Sequence, residues 1–412
     1  MNVRRSAAVL AATAVIGAAA PAVAASPTPT PTPSVAMPSG LYGSTDPTYD
    51  GVWRQSLALL AQDTVGVEPA GKAVDWLTGQ QCANGAFAAF RADPAQPCDA
   101  KLMVDTNSTA AAVQALAALG GHQAAAEKAV GWLTSVQNAD GGWGYAPGGA
   151  SDTNSTSVVV GALAAAGKKP AEVVKGGNSP YDALTKLALP CAAGGAFAYQ
   201  PDKQGKSSAN ADATAAGVLG VLGEGLAAGA GKKADATVCA DAGYPGPRQA
   251  AANGAAYLAK AVAKDGYLIS VLPGAENQPD YGNTADAVVA LAAQGGAEQA
   301  RKPLTWLQHH AAAWARQNGP AAYAQLVFAA HATGTDPRAF GGTDLVAALN
   351  ATGPAPQATD RATGGLQRED SDDNDGAEDS DDGFGVWWTV GVFLVAGIGI
   401  GFLISGRRKR QP

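Results

Sequence analysis

Apolar residues recur at steps of three and four along most of the chain between residues 45 and 352. The blocks Thr109–Leu119 and Ser157–Ala166 show this spacing most clearly. It places the apolar side chains on one face of an α-helix. Stretches rich in Gly and Pro separate the blocks, and the alternation typical of strands is almost absent. The pattern therefore predicts an all-α domain over residues 45–352.

The helical blocks repeat along the chain. Residues 72–87 match residues 128–143 position for position, with Lys-Ala-Val at the start and Trp-Leu-Thr in the middle. The motif Asp-Thr-Asn-Ser-Thr follows at 105–109 and again at 152–156, each time before a very apolar block. The repeating unit is therefore helix, loop, helix.

Fainter copies of the unit extend the array. They cover residues 181–212, 253–286 and 302–332. A sixth helix pair, formed by 52–62 together with 339–349, would close the array into a ring. Closure would remove the exposed ends that an open solenoid has to cap.

The pattern Lys-Ala-x-x-Trp-Leu-x-x-x-Gln-x-x-x-Gly-x-Trp at 128–143 resembles the repeat of prenyltransferase and squalene/terpene cyclase proteins. The match is nearly complete at 72–87, where Phe87 replaces the last Trp. The resemblance implies an α/α toroid with the Trp-bearing helices outside and the helices after Asp105 and Asp152 lining a cavity. It also implies that Gln81, Gln137 and Trp143 tie neighbouring repeats together.

The two ends of the chain predict export and membrane anchoring. Two Arg residues, an apolar run and an Ala-x-Ala site form a signal peptide at 1–25. An apolar segment at 386–405 precedes a basic tail at 406–412, which is typical of one transmembrane helix with a cytoplasmic C-terminus. A Pro/Thr-rich linker at 26–44 and an acidic, disordered spacer at 353–385 complete the predicted organisation. The expected location is the cell membrane, with the toroid outside the cytoplasm.

Charge and cysteine content narrow the function classes. Nine acidic residues lie between 369 and 382, whereas the whole chain has a net charge of -7. The folded part is therefore near neutral, which argues against nucleic acid as a partner. Four cysteines in an exported chain suggest two disulfides. Three pairings are possible, and we favour Cys82–Cys98 with Cys191–Cys239, because each pair brackets one loop-containing stretch.

Catalytic motifs of the resembled family are not evident within the repeats. Its cyclases use an Asp-x-Asp-Asp acid, which occurs here only at 370–373 and 379–382 in the acidic spacer. Its zinc enzymes use an Asp, a Cys and a His, and the four His residues at 122, 309, 310 and 331 do not complete such a triad. No metal site and no cofactor is predicted.

Asp and Asn residues stand at the expected starts of the inner helices. One interpretation is that they cap the free backbone N–H groups there. Because all inner helices start at one mouth of a toroid, they would also form a polar ring with aromatic residues nearby. The ligand-binding prediction comprises Asp105, Asn107, Asp152, Asn154, Asp212, Asp286, Trp143, Tyr145 and Tyr267, and Asn210 and Asn283 share the pattern.

These observations predict a membrane-anchored binding or receptor protein that is not an enzyme. It would capture a small-molecule or protein ligand outside the cell. The fold also resembles the helical domain of extracellular cobalamin carriers, so a corrinoid-like ligand and a transporter partner are the most specific expectation. The alternative is a terpene cyclase or prenyltransferase-type enzyme acting on an isoprenoid at the outer membrane face. A structural spacer without a pocket is the third interpretation.

Overall fold

The computed structural model describes residues 37–234, 238–241, 246–271 and 276–358. This part of the chain contains twelve α-helices, which alternate between an inner and an outer position. The inner helices are α1 Gly51–Thr64, α3 Thr106–Leu119, α5 Thr153–Ala165, α7 Ala211–Leu222, α9 Tyr281–Ala293 and α11 Pro320–Thr333. The outer helices are α2 Gly71–Gly79, α4 Gln123–Ser135, α6 Pro180–Leu187, α8 Pro247–Ala263, α10 Ala297–Asn318 and α12 Leu345–Asn350.

The six inner helices form a closed ring. Each contacts the next inner helix, from α1 with α3 through to α9 with α11, and α11 returns to contact α1. Helix α12 packs on α11 beside this junction, so the sixth pair predicted from the sequence is present. Short 3₁₀ turns and two paired strands, β1 Leu268–Ile269 and β2 Pro279–Asp280, are the remaining regular elements in the described residues.

The composition of the two helix sets explains their positions. Helices α3 and α5 bury every residue over 106–116 and 153–163, so they are covered on all sides. A helix that is apolar or small all round has to lie inside other structure. Outer helix α4 instead buries a stripe that includes Ala129, Val130 and Leu133 and exposes the rest. The sequence thus assigns each helix to its layer.

Glutamine side chains join successive repeats, as the family resemblance implied. Gln81 Nε2 donates to the carbonyl of Ala125, 2.8 Å away, and Gln137 Nε2 donates to the carbonyl of Val173 at 3.1 Å. Both carbonyls belong to the following repeat. A side-chain amide can donate to a backbone carbonyl of another element, so these contacts link neighbouring units.

Both predicted disulfides are confirmed. Cys82 is bonded to Cys98, and Cys191 is bonded to Cys239. Each bond holds an irregular stretch next to the ring, where few backbone hydrogen bonds are available. Such bonds persist in oxidising compartments.

The predicted terminal segments lie outside the described residues. This holds for the signal peptide at 1–25, nearly all of the spacer and its acidic motifs, the apolar segment at 386–405 and the basic tail. Within the described ranges, no helix combines the length and apolar character that a membrane span requires.

Candidate functional site

Four of the inner helices, α3, α5, α7 and α9, start with polar side-chain caps that lie at one mouth of the ring. Asp105 Oδ1 accepts from the backbone N–H of Ser108 at 2.6 Å, and Asp152 Oδ1 accepts from that of Ser155 at 2.7 Å. Asn210 caps α7 in the same way. These contacts satisfy N–H groups that a helix leaves free at its start. The capping role predicted for these residues is therefore present.

Helix α9 starts earlier than the sequence pattern indicated. Its cap is Asp280, whose Oδ1 accepts from the backbone N–H of Asn283 at 3.1 Å. Asn283 and Asp286 therefore do not stand at the helix start. Asp286 lies within α9, six residues after the cap, so its side chain is set further into the ring.

Four carboxyl groups form an acid cluster on helices α5, α7 and α9. Electrostatic interaction links Asp212 to Asp152 and to Asp280, and links Asp286 to Asp212 and to Asp280. None of the ion pairs in the described residues involves these carboxyls. Their negative charges are therefore not offset by a Lys or Arg partner.

Burial raises the pKa of every member of the acid cluster. The pKa of Asp212 and that of Asp286 are each raised to about 7, because the protein desolvates these half-buried side chains and neighbouring carboxylates repel their charge. Burial also raises the pKa of Asp152, to about 6, and raises that of Asp280. Desolvation and like charges both disfavour the ionised form. Part of the cluster consequently remains protonated at neutral pH.

Amide side chains hold the two carboxyls that have the highest pKa. Asn154 Nδ2 donates to Asp212 Oδ2 at 2.7 Å. Gln325 Nε2, on α11, donates to both carboxyl oxygens of Asp286 at 3.2 Å. The contact from Asn154 leaves the second oxygen of Asp212 free. A protonated carboxyl held in this way can present its hydrogen to a neighbouring group.

Two tyrosines lie against the carboxyl groups. Tyr199 hydrogen-bonds to Asp152, and the charges of Asp152 and Asp212 add to the burial that raises the pKa of its phenol. Tyr145 lies near Asp105, and burial together with that charge raises its pKa. Both phenols therefore stay protonated at neutral pH.

A cavity of about 50 Å³ opens beside the acid cluster. Asn154 lines the cavity and also bonds Asp212, so this residue connects the cavity to the acid cluster. Trp53 of α1 and Leu219 of α7 contribute apolar surface. The cavity can hold a short apolar group, and Asn154 is the lining residue that bonds a carboxyl of the acid cluster.

A loop after α7 covers the other end of the ring. The backbone N–H of Leu226 donates to Gln114 Oε1 at 2.8 Å, and Gly231 donates to the carbonyl of Ala292 at 2.9 Å. The loop therefore reaches both α3 and α9, and Leu226 forms part of the cavity floor. Access to the acid cluster is thus from the mouth that carries the helix caps.

The aromatic residues predicted for the site occupy different environments. Trp143 is fully buried in the core, and its indole N–H donates to the carbonyl of Leu133 at 2.7 Å. Tyr267 lies against outer helix α10, with its ring centroid 4.6 Å from that of Trp306. Tyr145 alone of the three lies next to an inner-helix carboxyl. The structure does not bring Trp143 and Tyr267 to the acid cluster.

Three residues of the site were not predicted from the sequence: Asp280, Tyr199 and Gln325. A signal existed for Tyr199, because Ala198-Tyr199 aligns with Gly144-Tyr145. Asp280 was hidden by the weak fourth repeat, in which Leu268 rather than Tyr267 takes the place of Trp143. The backbone N–H of Leu268 donates to Thr284 just as that of Trp143 donates to Thr156.

A larger surface depression lies at the opposite end of α1 and α11. Its volume is about 430 Å³, and its lining includes Thr64, His331 and Arg338. The His and Arg side chains are exposed there, and no buried acid adjoins them. Nowhere in the described ranges, the acid cluster included, is a group of three or more His, Cys, Asp or Glu residues arranged to hold a metal ion. We therefore take the acid cluster and its cavity as the candidate site.

No protein family and no curated protein matches the sequence. Similar solved structures include a protein from Actinoplanes, with 20% identity and a TM-score of 0.42, covering 66% of this chain and 75% of that one. ent-Copalyl diphosphate synthase from Streptomyces platensis has 18% identity and a TM-score of 0.46, covering 69% and 50%. A sugar epimerase from a ruminal bacterium has 14% identity and a TM-score of 0.43, covering 66% and 80%. At these values the similarity concerns the helical fold and assigns no activity.

Proposed function

We propose that the protein is an enzyme that uses the Asp212–Asp286 pair as a general acid on an uncharged substrate of the isoprenoid class. The observation that carries the proposal is two neighbouring carboxyls, each with a pKa raised to about 7, that lack a cationic partner. A group whose pKa is near the working pH transfers protons most effectively. The charge of Asp212 also raises the pKa of Asp286, so the two residues titrate as coupled groups.

The negative charge of the acid cluster limits the class of substrate that the site can bind. A diphosphate would be repelled by the acid cluster, and no Lys or Arg pairs with those carboxyls to offset the repulsion. The apolar cavity beside Asn154 instead suits a short branched hydrocarbon end, and the indole of Trp53 would favour a developing positive charge there. Protonation of a neutral substrate therefore fits the site better than ionisation of a diphosphate.

The proposal is tested by incubating the purified full chain with squalene and farnesol, and separately with prenyl diphosphates with and without Mg²⁺ or Zn²⁺. Products are identified by gas chromatography and mass spectrometry. We expect turnover of a neutral substrate that needs no added metal. Asp212→Asn and Asp286→Asn should each lower kcat by about 100-fold or more, because general acid catalysis contributes about 10²–10⁴.

Asp75→Asn is the matched control. Asp75 is exposed on outer helix α2, and its substitution should leave kcat unchanged. Turnover of a prenyl diphosphate that requires Mg²⁺ and survives Asp286→Asn would contradict the proposal. A lack of turnover with every substrate would contradict it as well.

Capture of a corrinoid inside the ring is not supported. Pockets for ligands of drug size measure about 300–1,000 Å³, whereas the cavity beside Asn154 measures about 50 Å³. The receptor prediction also gives no role to the raised pKa values of the acid cluster. The enzyme alternative therefore replaces it as the leading function.

The cellular location predicted from the chain ends is retained as part of the proposal. The two disulfides support an oxidising compartment. Protease treatment of intact cells tests the location, because an exported domain would be digested and a cytoplasmic one protected.

A further inference from the structure

Two buried asparagines at equivalent positions of helices α3 and α5 have polar atoms without partners. Asn107 is 3% exposed, and neither its Oδ1 nor its Nδ2 has a hydrogen bond. Asn154 is 4% exposed, and its Oδ1 is also unpaired although its Nδ2 bonds Asp212. Leaving buried polar atoms unpaired costs about 1–3 kcal/mol each. Such atoms persist where a ligand completes their bonding.

The repeat shows where Asn107 is aimed. Asn107 and Asn154 occupy the same position in identical Asp-Thr-Asn-Ser-Thr segments, and the caps before them share an extended conformation. The residue before each also bonds a tyrosine carbonyl, that of Tyr145 or of Tyr199. Asn154 reaches across to Asp212, which holds the equivalent position on the next inner helix. By the same rotation, Asn107 points toward Asn154.

The hydrogen bond that joins Asn154 to the next inner helix has no counterpart at Asn107. Asn154 bonds the next side chain in the ring, Asp212, but no hydrogen bond joins Asn107 to Asn154. The unpaired atoms are the Nδ2 donor and the Oδ1 acceptor of Asn107, and the Oδ1 acceptor of Asn154. A group that accepts from Asn107 Nδ2 and donates to Asn154 Oδ1 would bridge the two side chains, and Asn107 Oδ1 would remain as a second acceptor.

Resting on the function proposed above, we infer that Asn107 and Asn154 together bind a hydroxyl group of the substrate. A hydroxyl accepts from Asn107 Nδ2 and donates to Asn154 Oδ1. An ammonium could not accept, and a carboxylate could not donate and would be repelled by the acid cluster. The substrate is accordingly an isoprenoid alcohol, with its oxygen separated from Asp212 by the Asn154 amide.

The experiment compares farnesol with farnesene, which has the same number of carbons and lacks the hydroxyl. Binding of each to the full chain is measured by titration calorimetry, for the wild type and for Asn107→Leu. We expect the wild type to bind farnesol about 10-fold more tightly than farnesene, since one or two neutral hydrogen bonds are involved. Asn107→Leu should remove that difference while leaving the affinity for farnesene unchanged.

Thr106→Val serves as the control variant. Thr106 Oγ1 is buried and unpaired like the Asn107 side chain, but Thr106 is not part of the asparagine pair. Its substitution should raise the melting temperature slightly and leave the affinity for farnesol unchanged. Asn107→Leu should also raise the melting temperature, so a loss of farnesol binding in a stabilised protein cannot be ascribed to misfolding.

Two results would overturn the inference. Equal affinity for farnesol in the wild type and in Asn107→Leu would mean that the asparagine pair holds only water or serves packing. Turnover of a neutral hydrocarbon that depends on Asp286, without binding of farnesol, would reject the hydroxyl site and retain the proposed general acid. Failure of the proposed function itself would appear as absent turnover, whatever the calorimetry shows.

Discussion

The ionisation of the Asp286 carboxyl affects the stability of the folded protein. Its pKa rises from 3.8 in the unfolded chain to about 7 in the fold. The folded protein thus holds this proton more tightly than the unfolded chain does. The contribution of the protonated Asp286 carboxyl to the free energy of unfolding is fully present below about pH 4 and is lost as the pH rises to about 7. Asp286 disfavours folding when it is ionised.

Asp286→Asn should therefore stabilise the protein at pH 8 and have little effect at pH 4. We expect a gain of about 2 kcal/mol at pH 8, after allowing for residual solvent contact and coupling to Asp212. Urea unfolding of both proteins at the two pH values measures the difference. Asp75→Asn, on the exposed face of α2, should show no such dependence. A constant difference between pH 4 and pH 8 would show that the Asp286 carboxyl is not perturbed.

Thr156 carries a contact that recurs in four repeats. Its Oγ1 accepts from the backbone N–H of Trp143 at 3.0 Å, as Thr109, Thr214 and Thr284 do in their own units. Thr156→Val would leave that buried N–H unpaired, at a cost of about 1–3 kcal/mol. Thr185→Val is the control, because its hydroxyl bonds only carbonyls of its own helix, those of Tyr181 and Asp182. Thermal unfolding should show a clear loss for the first variant and almost none for the second.

At the scale of residues, the helix caps could be predicted from the sequence, but the acid cluster could not. Asp105 and Asp152 could be placed because a cap needs only local spacing. The interaction of Asp212 with Asp280 depends on how helices α7 and α9 lie against each other, which no local pattern contains. Burial of Asp286 without a cation is likewise a property of the ring.

Among the elements, helix α5 and the loop after α7 approach each other closely at two glycines. A Cβ added to Gly161 would lie 2.7 Å from the Cα of Gly225 and 3.2 Å from the carbonyl oxygen of Glu224. Backbone atoms cannot yield as a flexible side chain can. The absence of a side chain at Gly161 is therefore what allows the loop to enter the ring.

Gly161→Ala should destabilise the protein by about 1–3 kcal/mol, because the loop must move outward. Gly131 offers a matched control in outer helix α4, where an added Cβ meets nothing within 4 Å. There Gly131→Ala should stabilise by about 0.5–1 kcal/mol through helix propensity. Chemical denaturation of both variants measures the two effects. Stabilisation by both substitutions would indicate that the loop does not occupy the ring in solution.

The elements themselves were the most predictable level. Helices α3, α4 and α5 follow from repeats that match in nearly every position. Helix α9 was misplaced at its start because Asn283-Thr-Ala-Asp286 imitates the cap motif of Asp152, while the true cap, Asp280, follows a residue typical of loops. Gln325 could not be identified, since α11 begins at a Pro without any polar cap side chain.

For the whole molecule, closure of the ring depends on a seam between its first and last segments. Tyr42, which precedes α1, is fully buried, and its hydroxyl lies 3.1 Å from both Gln62 Oε1 and the carbonyl oxygen of Pro354. Gly43 donates to the carbonyl of Thr352 at 2.8 Å. The contacts of Tyr42 with Pro354 and of Gly43 with Thr352 join residues about 300 positions apart in sequence. They replace the polar end caps that an open array of repeats requires.

Tyr42→Ala should therefore affect cooperativity as well as stability. Removal of a buried aromatic side chain costs about 3–5 kcal/mol, and an opened seam lets the terminal units unfold before the rest. We expect a lower midpoint and a smaller m-value in urea, because less surface is exposed in each step. Tyr49→Ala provides the comparison, since Tyr49 is 78% exposed beside the same helix and should change neither quantity. A reduced midpoint with an unchanged m-value would mean that the ring unfolds as one unit whether or not this seam is intact.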